Sequence, residues 1–98
     1  MSMRKKISEI WIAYAFSKSM KKNKFRVEAV VPPDVSMPAE YTPTGSYDSV
    51  GRKYYFSAWF LDIKDAERAA YVLVRFLSIN KAKPMMFREI RKPQPVRI

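Results

Sequence analysis

The feature that most restricts how this chain can fold is a single amphipathic segment at residues 63–79. At about 100° per residue its apolar side chains fall on one arc of about 120°, which is typical of a helix that packs on a sheet. These side chains are Ala66, Ala69, Ala70, Leu73, Phe76 and Leu77. Asp62 is placed to cap the start, whereas Asn80 and Pro84 mark the end. We therefore expect one helix, and one helix can cover only one face of a sheet.

The other regular segments alternate with a period of two, which indicates strands. Four strands are predicted, at 7–16, 25–31, 53–61 and 84–90. Residues 32–52 contain four of the seven prolines and both glycines and follow neither period. They are expected to form a long Pro-rich loop, since proline cannot donate to a strand ladder. Residues 91–98 are expected to be an extended basic tail.

These elements predict an α+β fold for a single small domain of 98 residues. The order along the chain is β-β-β-α-β, with the long connection between the second and third strands. Short links on both sides of the helix favour a crossover between parallel strands. The expected architecture is a four-stranded mixed sheet with a single helix on one face.

The third predicted strand poses a problem, because "KYYFSAWF" at 53–60 carries five rings on both sides of the alternation. We assign Phe56, Ala58 and Phe60 to the face beneath the helix. That face would also hold the apolar series Ile10, Ile12, Tyr14, Phe16, Phe25, Val27, Ala29 and Val31. The uncovered face would then present Trp11, Arg26, Glu28, Tyr55, Ser57, Trp59 and Arg88.

Three interpretations of the uncovered face stay open. It is a platform on which the bases of a single strand stack while cations contact the phosphates. Alternatively it is a homodimer interface, since rings and arginine are enriched at protein interfaces. In the third interpretation, residues 32–52 fold over the face and bury it, using Met37, Tyr41 and Tyr47.

The charge favours a polyanionic partner. Lys and Arg number 19 against nine Asp and Glu, so the net charge is +10. Such a field attracts nucleic acid first and an anionic membrane surface second, and no stretch approaches the roughly 20 apolar residues of a membrane span. We expect DNA or RNA as partner, with no membrane and no small-molecule substrate.

Histidine and cysteine are both absent. This excludes disulfides, thiolate metal sites and the commonest general base. We expect no cofactor, no metal and no enzymatic activity. The lack of cysteine is compatible with a reducing cytoplasm, which is the expected location.

The basic residues form several patches. Lys18, Lys21, Lys22 and Lys24 crowd one connection, and Lys64, Arg68 and Arg75 share the outer side of the helix. Solvation alone accounts for such patches in many proteins, and phosphate contact is the alternative. The predicted nucleic-acid-binding residues are Trp11, Lys18, Lys21, Lys22, Lys24, Arg26, Tyr55, Trp59, Lys64, Arg68, Arg75 and Arg88.

One motif points to a different chemistry. Pro33-Asp34 and Asp62–Lys64 match the letters of the PD-(D/E)xK nuclease motif, but Asp62 is expected to cap the helix. The sequence therefore favours a small non-enzymatic nucleic-acid-binding protein that contacts mainly the phosphate backbone. The alternative is a subunit of a viral or nucleoprotein assembly that uses its aromatic face to form a homodimer or bind a protein partner.

Overall fold

The helix lies where the periodicity predicts it. The computed structural model describes the backbone of residues 8–80 and 85–93 and the side chains of residues 8–77. Helix α1 spans Ile63–Asn80. The Asp62 carboxylate accepts a hydrogen bond from the Lys64 backbone N–H at 2.9 Å, so the predicted N-cap is confirmed. The side chains that α1 buries are Ala66, Ala70, Leu73 and Leu77, with Ala69 and Phe76 partly buried beside them.

Five strands form one sheet, which confirms the α+β fold. They are β1 (Ser8–Ser17), β2 (Lys22–Val31), β3 (Thr42–Tyr47), β4 (Lys53–Phe56) and β5 (Met85–Pro93). Their order across the sheet is β3-β4-β2-β1-β5. Strands β1 and β2 form a hairpin whose turn, residues 18–21, is shorter than the predicted connection because β2 begins at Lys22.

The prediction of a four-stranded mixed sheet needs correction in detail. The four strands β3-β4-β2-β1 pair antiparallel throughout. A parallel pairing occurs in the described chain only where β5 joins β1, from Ser8 opposite Met85 to Tyr14 opposite Pro93. The β1–β2 and β3–β4 turns are short, whereas the β4–β5 connection runs through the whole of α1 and so permits a parallel partner.

Strand β3 was missed because it lies at the edge of the sheet. Most of its side chains are exposed, so it has no apolar alternation. It contains Pro43, which an edge strand tolerates because one row of its backbone groups has no partner strand. The prediction that residues 32–52 lack regular structure is therefore wrong.

The predicted tail is also partly wrong, since β5 continues to Pro93. Residues 1–7, 81–84 and 94–98 lie outside the described residues.

Strand β4 is shorter than predicted because a bulge interrupts it. Phe56 pairs with Glu28, and the next bridge joins Phe60 to Phe25. Three residues of one chain segment thus lie opposite two of the other, which is the count of a β-bulge. The Ser57 N–H donates to the Val27 carbonyl at 2.9 Å, and the Ser57 hydroxyl accepts from the Val27 N–H at 2.9 Å.

The extra residue shifts the alternation and explains the rings on both sides. Tyr55 and Phe60 pack in the core beneath α1, whereas Tyr54 packs with Trp11 on the opposite face. Phe56 is also on that opposite face, since its ring contacts Arg26. The predicted positions of Tyr55 on the uncovered face and Phe56 beneath the helix are both wrong.

The segment between β2 and β3 packs on the helix side of the sheet. Val35 and Tyr41 are buried in the core with the residues of α1, and Met37 packs against them. The interpretation in which residues 32–52 cover the aromatic face through Met37 and Tyr41 is therefore wrong. Tyr47 of the same segment is exposed.

The orientation of α1 on the sheet predicts different losses of stability when two adjacent residues are replaced by alanine. Leu73 is fully buried and Val72 is 61% exposed. Leu73→Ala should lower the free energy of unfolding by about 2–5 kcal/mol because it leaves a cavity. Val72→Ala, the control, should change it by about 0.5 kcal/mol or less. Urea denaturation of both variants checks this, and equal losses would contradict the helix orientation.

Candidate functional site

The face of the sheet that α1 does not cover is built around a buried arginine. Arg26 lies on β2, and only 1% of its surface is exposed. An isolated charge buried to this extent would cost several kcal/mol, so its neighbours must replace the lost hydration. Two kinds of neighbour do so, a carboxylate and two aromatic rings.

The rings belong to the segment that carries the bulge. The Arg26 guanidinium carbon lies 4.4 Å from the ring centroid of Phe56 and 4.6 Å from that of Trp59. The Lys24 ammonium lies 4.9 Å from the Trp59 centroid. Each distance is within the range of a cation–π interaction, which strengthens as the cation loses water. The bulge makes this possible, because without the extra residue Phe56 and Trp59 would point to opposite faces.

The carboxylate is that of Glu28, two residues along β2. Its Oε2 accepts a hydrogen bond from Arg26 Nε at 2.9 Å, and its Oε1 accepts one from Trp11 Nε1 at 2.9 Å. Trp11 in turn meets Tyr54 edge to face, with 6.3 Å between ring centroids. The face thus carries a connected chain of polar and aromatic contacts that crosses β1, β2 and β4.

A second arginine, Arg52, joins the β3–β4 turn to β1. Its guanidinium contacts Asp48 at 2.7 Å and Glu9 at 2.9 Å. Asp48 also accepts hydrogen bonds from the backbone N–H groups of Val50 at 3.1 Å and Arg52 at 2.8 Å. Gly51 has a φ of 88°, which favours glycine in this turn. No pattern in the sequence pointed to this cluster, because it depends on the unpredicted pairing of β3 with β4.

The protonation state of Asp48 affects how well this turn is stabilised. Burial raises the pKa of the Asp48 carboxyl, but the hydrogen bonds from Arg52 and Val50 outweigh it, and its pKa is lower than the usual 3.8. The carboxylate form is therefore the one that the folded turn favours.

Several predicted site residues are not accessible. Trp11 and Arg26 are buried, and half-buried Tyr55 lies on the helix side. The expectation that these three belong to an open binding face is wrong, because the alternation was read without the bulge and an open face was assumed. Trp59 is half-buried, and its ring contacts the cations of Lys24 and Arg26. The side chain of Arg88 lies outside the described residues, although its backbone pairs with Trp11.

Of the other predicted residues, Lys24 is half-buried against Trp59, and the rest are accessible but lie apart. Lys18, Lys21 and Lys22 are exposed at the turn of the β1–β2 hairpin. On α1, the exposed cations are Lys64, Arg68 and Arg75, of which Arg68 pairs with Asp65 at 3.2 Å. The structure therefore separates the predicted set into a buried aromatic part and two exposed cationic parts. Lys53, near the Tyr55 ring, is a further cation that the sequence did not single out.

An apolar cavity lies on the helix side of the sheet. Its volume is about 350 Å³, and its walls include Pro38, Tyr41, Ala58, Phe60, Val72 and Phe76. Burial, together with the nearby Glu40 carboxylate, raises the pKa of Tyr41 to about 12. The Tyr41 hydroxyl is therefore neutral at physiological pH.

The structure gives Asp62 of the nuclease-like motif a role in the helix. Asp62 is engaged in capping α1, and the described residues contain no group of three or more acidic side chains placed to hold a metal ion. Among the described helical residues, no stretch has the length and apolar character of a membrane span.

No protein-family model matches the chain, and no significant match is found among curated proteins or solved structures. Its function is therefore inferred from its own residues.

Trp59 should be a structural residue. Trp59→Ala would expose the Arg26 guanidinium and remove two cation–π contacts, so we expect the free energy of unfolding to fall by about 2 kcal/mol. For a domain of this size the melting temperature should fall by about 10 °C. The control is Tyr47→Ala, because Tyr47 is an exposed ring. Thermal denaturation without any ligand measures both, and an unchanged Trp59→Ala melting temperature would instead support a free stacking platform.

The hydrogen bonds to Asp48 should make the free energy of unfolding depend on pH. Because the folded pKa lies below the unfolded value, Asp48 contributes stability above about pH 4 and loses it as the pH falls through the folded pKa. Asp48→Asn should be less stable at neutral pH and lose less stability on acidification. Denaturant titrations at neutral and acidic pH test this, with exposed Glu67→Gln as control. A wild-type acid response in Asp48→Asn would contradict it.

Proposed function

We propose that this protein is a small non-enzymatic nucleic-acid-binding protein that contacts mainly the phosphate backbone. The observation that carries the proposal is that its described lysines form no ion pairs. Every ion pair found among residues 8–77 uses an arginine, namely Arg26, Arg52 or Arg68. The lysines of this region form none, and those of the β1–β2 turn are exposed. Their charges are available to a polyanion.

The distribution of charge along the chain adds support. Residues 8–77 contain ten of the 19 cationic residues and eight of the nine acidic ones, so this part of the chain is nearly neutral. Nine cations and one acid belong to residues 1–7 and 78–98, including three cations in β5. An excess of this size attracts phosphate without regard to sequence and releases counterions on binding.

The proposal includes fewer site residues than the sequence predicted. Lys18, Lys21, Lys22, Lys64 and Arg75 are exposed and carry no ion pair within the described residues. Trp11, Arg26 and Tyr55 are left out because their side chains are buried or half-buried in the protein's own packing. With Trp59 held on Arg26 and Lys24, base stacking contributes little, and the phosphate contacts dominate.

Binding should follow the rules of counterion release. The logarithm of the binding constant should fall linearly with the logarithm of salt between about 50 and 200 mM. Arg75→Ala should weaken binding equally for all sequences and reduce the slope by about one phosphate contact, whereas Arg75→Lys should preserve it. Fluorescence anisotropy with DNA and RNA oligonucleotides measures both quantities. Absence of binding to any of them at low salt would contradict the proposed function.

A second candidate, a subunit of a larger assembly, is favoured by the outer surface of α1. Tyr71 is 74% exposed and Val72 lines the apolar cavity while remaining accessible. Exposed apolar side chains beside a cavity are typical of protein-binding surfaces. Light scattering separates the candidates, because a dimer that is stable without nucleic acid supports this one. A monomer that changes size only with an oligonucleotide supports the first.

A further inference from the structure

Among the described residues, the β1–β2 hairpin extends beyond its neighbouring strands. The described pairing of β5 with β1 ends at Tyr14, and the last bridge to β2 from the segment after β4 joins Phe60 to Phe25. Past these points β1 and β2 continue to pair with each other as far as Ser17 and Lys22, and no other described strand pairs with them there. From Tyr14 to Lys18, where the turn begins, the arm is roughly 13 Å long at the usual rise per residue. We call residues 15–24 the hairpin arm.

The end of the arm combines cations with apolar side chains. Lys18, Lys21 and Lys22 are exposed there, Phe16 is 58% exposed and Met20 is 45% exposed. Large apolar side chains at this exposed end contribute little to the core and are accessible to a ligand. A lysine-rich arm with an apolar tip is complementary to a nucleic-acid groove, whose rims are anionic and whose floor is formed by base edges.

The turn itself holds an unfavourable backbone conformation. Lys21 has a φ of 55°, in the left-handed region that glycine and asparagine adopt most easily. The turn is supported locally, since the Ser17 hydroxyl accepts a hydrogen bond from the Met20 N–H at 3.4 Å and lies 3.3 Å from the Ser19 hydroxyl. Lys21 occupies a position where glycine would be less strained, and it places a positive charge at the turn. Strained residues of this kind are concentrated at functional positions.

We infer that the hairpin arm inserts into the major groove of duplex DNA, an inference that rests on the proposed function. The major groove is about 12 Å wide and 8.5 Å deep and admits a two-stranded ribbon, so the arm is long enough to reach its floor. Lys18, Lys21 and Lys22 contact phosphates along the rims. Met20 and Phe16 contact base edges, where the thymine methyl group is the natural apolar partner.

The same geometry selects against other nucleic acids. The major groove of A-form RNA is deep and narrow and does not admit side chains in this way. A single strand has no groove, and the ring of Trp59 is already in contact with Arg26 and Lys24. Duplex DNA is therefore the preferred ligand.

The experiment compares three labelled probes of one mixed sequence: a DNA duplex of about 20 bp, the RNA duplex and the DNA single strand. Anisotropy titrations should show the wild-type protein binding the DNA duplex at least about tenfold more tightly than the other two. Methyl green, which occupies the major groove, should compete, and netropsin, which occupies the minor groove, should not.

Two triple variants with equal loss of charge locate the contact. Lys18→Gln/Lys21→Gln/Lys22→Gln should abolish the preference for duplex DNA and reduce its salt slope by about three contacts. The matched control, Lys53→Gln/Lys64→Gln/Arg75→Gln, should weaken all three probes together and leave the preference intact. Phe16→Ser/Met20→Ser should lower duplex affinity roughly three- to tenfold without changing the salt slope, because neither side chain neutralises a phosphate. Circular dichroism verifies that each variant is folded.

The outcomes separate the two levels of inference. A wild-type protein that binds none of the probes overturns both the proposed function and the groove contact. Equal affinity for DNA and RNA duplexes, competition by netropsin alone, or an unchanged preference in the hairpin variant overturns only the groove contact. Loss of the preference in the hairpin variant and not in the control supports it.

Discussion

The burial of Arg26 is the constraint around which one whole face of the sheet is organised. A guanidinium removed from water must recover its hydration energy from fixed partners, and removing one partner of such a pair is costly. Glu28 supplies the charge, while Phe56 and Trp59 supply the two rings. Because the rings come from β4 and the segment after it, this one side chain ties the register of β4 to that of β2.

The bulge at residues 57–59 follows from the same constraint. A continuous strand would send Phe56 and Phe60 to one face, and the inserted residue sends them to opposite faces. Phe60 then completes the core beneath α1, and Phe56 and Trp59 are free to hold the guanidinium. Ser57 stabilises the bulge, since its hydroxyl and its N–H both form hydrogen bonds with backbone groups of Val27.

Arginine and lysine have different tasks in this molecule. The buried or bridging cations, Arg26 and Arg52, are arginines, whose planar guanidinium contacts carboxylates and rings at once. The cations at the hairpin turn are lysines, which keep their hydrated charge in solvent. This division is why charge alone did not separate the accessible cations from the buried ones.

The elements whose signals are local could be predicted from the order of the residues. The helix with its Asp62 cap, the β1–β2 hairpin and the α+β class could be read from periodicity and capping, because each depends on residues a few positions apart. Of the four lysines that the sequence places between β1 and β2, Lys18, Lys21 and Lys22 are exposed, as is usual for lysine, whereas Lys24 is half-buried against Trp59. Tertiary structure alone decided the pairing of β3 at the sheet edge, the phase shift at the bulge and the burial of Trp11 and Arg26. Each of these depends on a partner distant in sequence, so the energy that stabilises it appears only when the strands have come together.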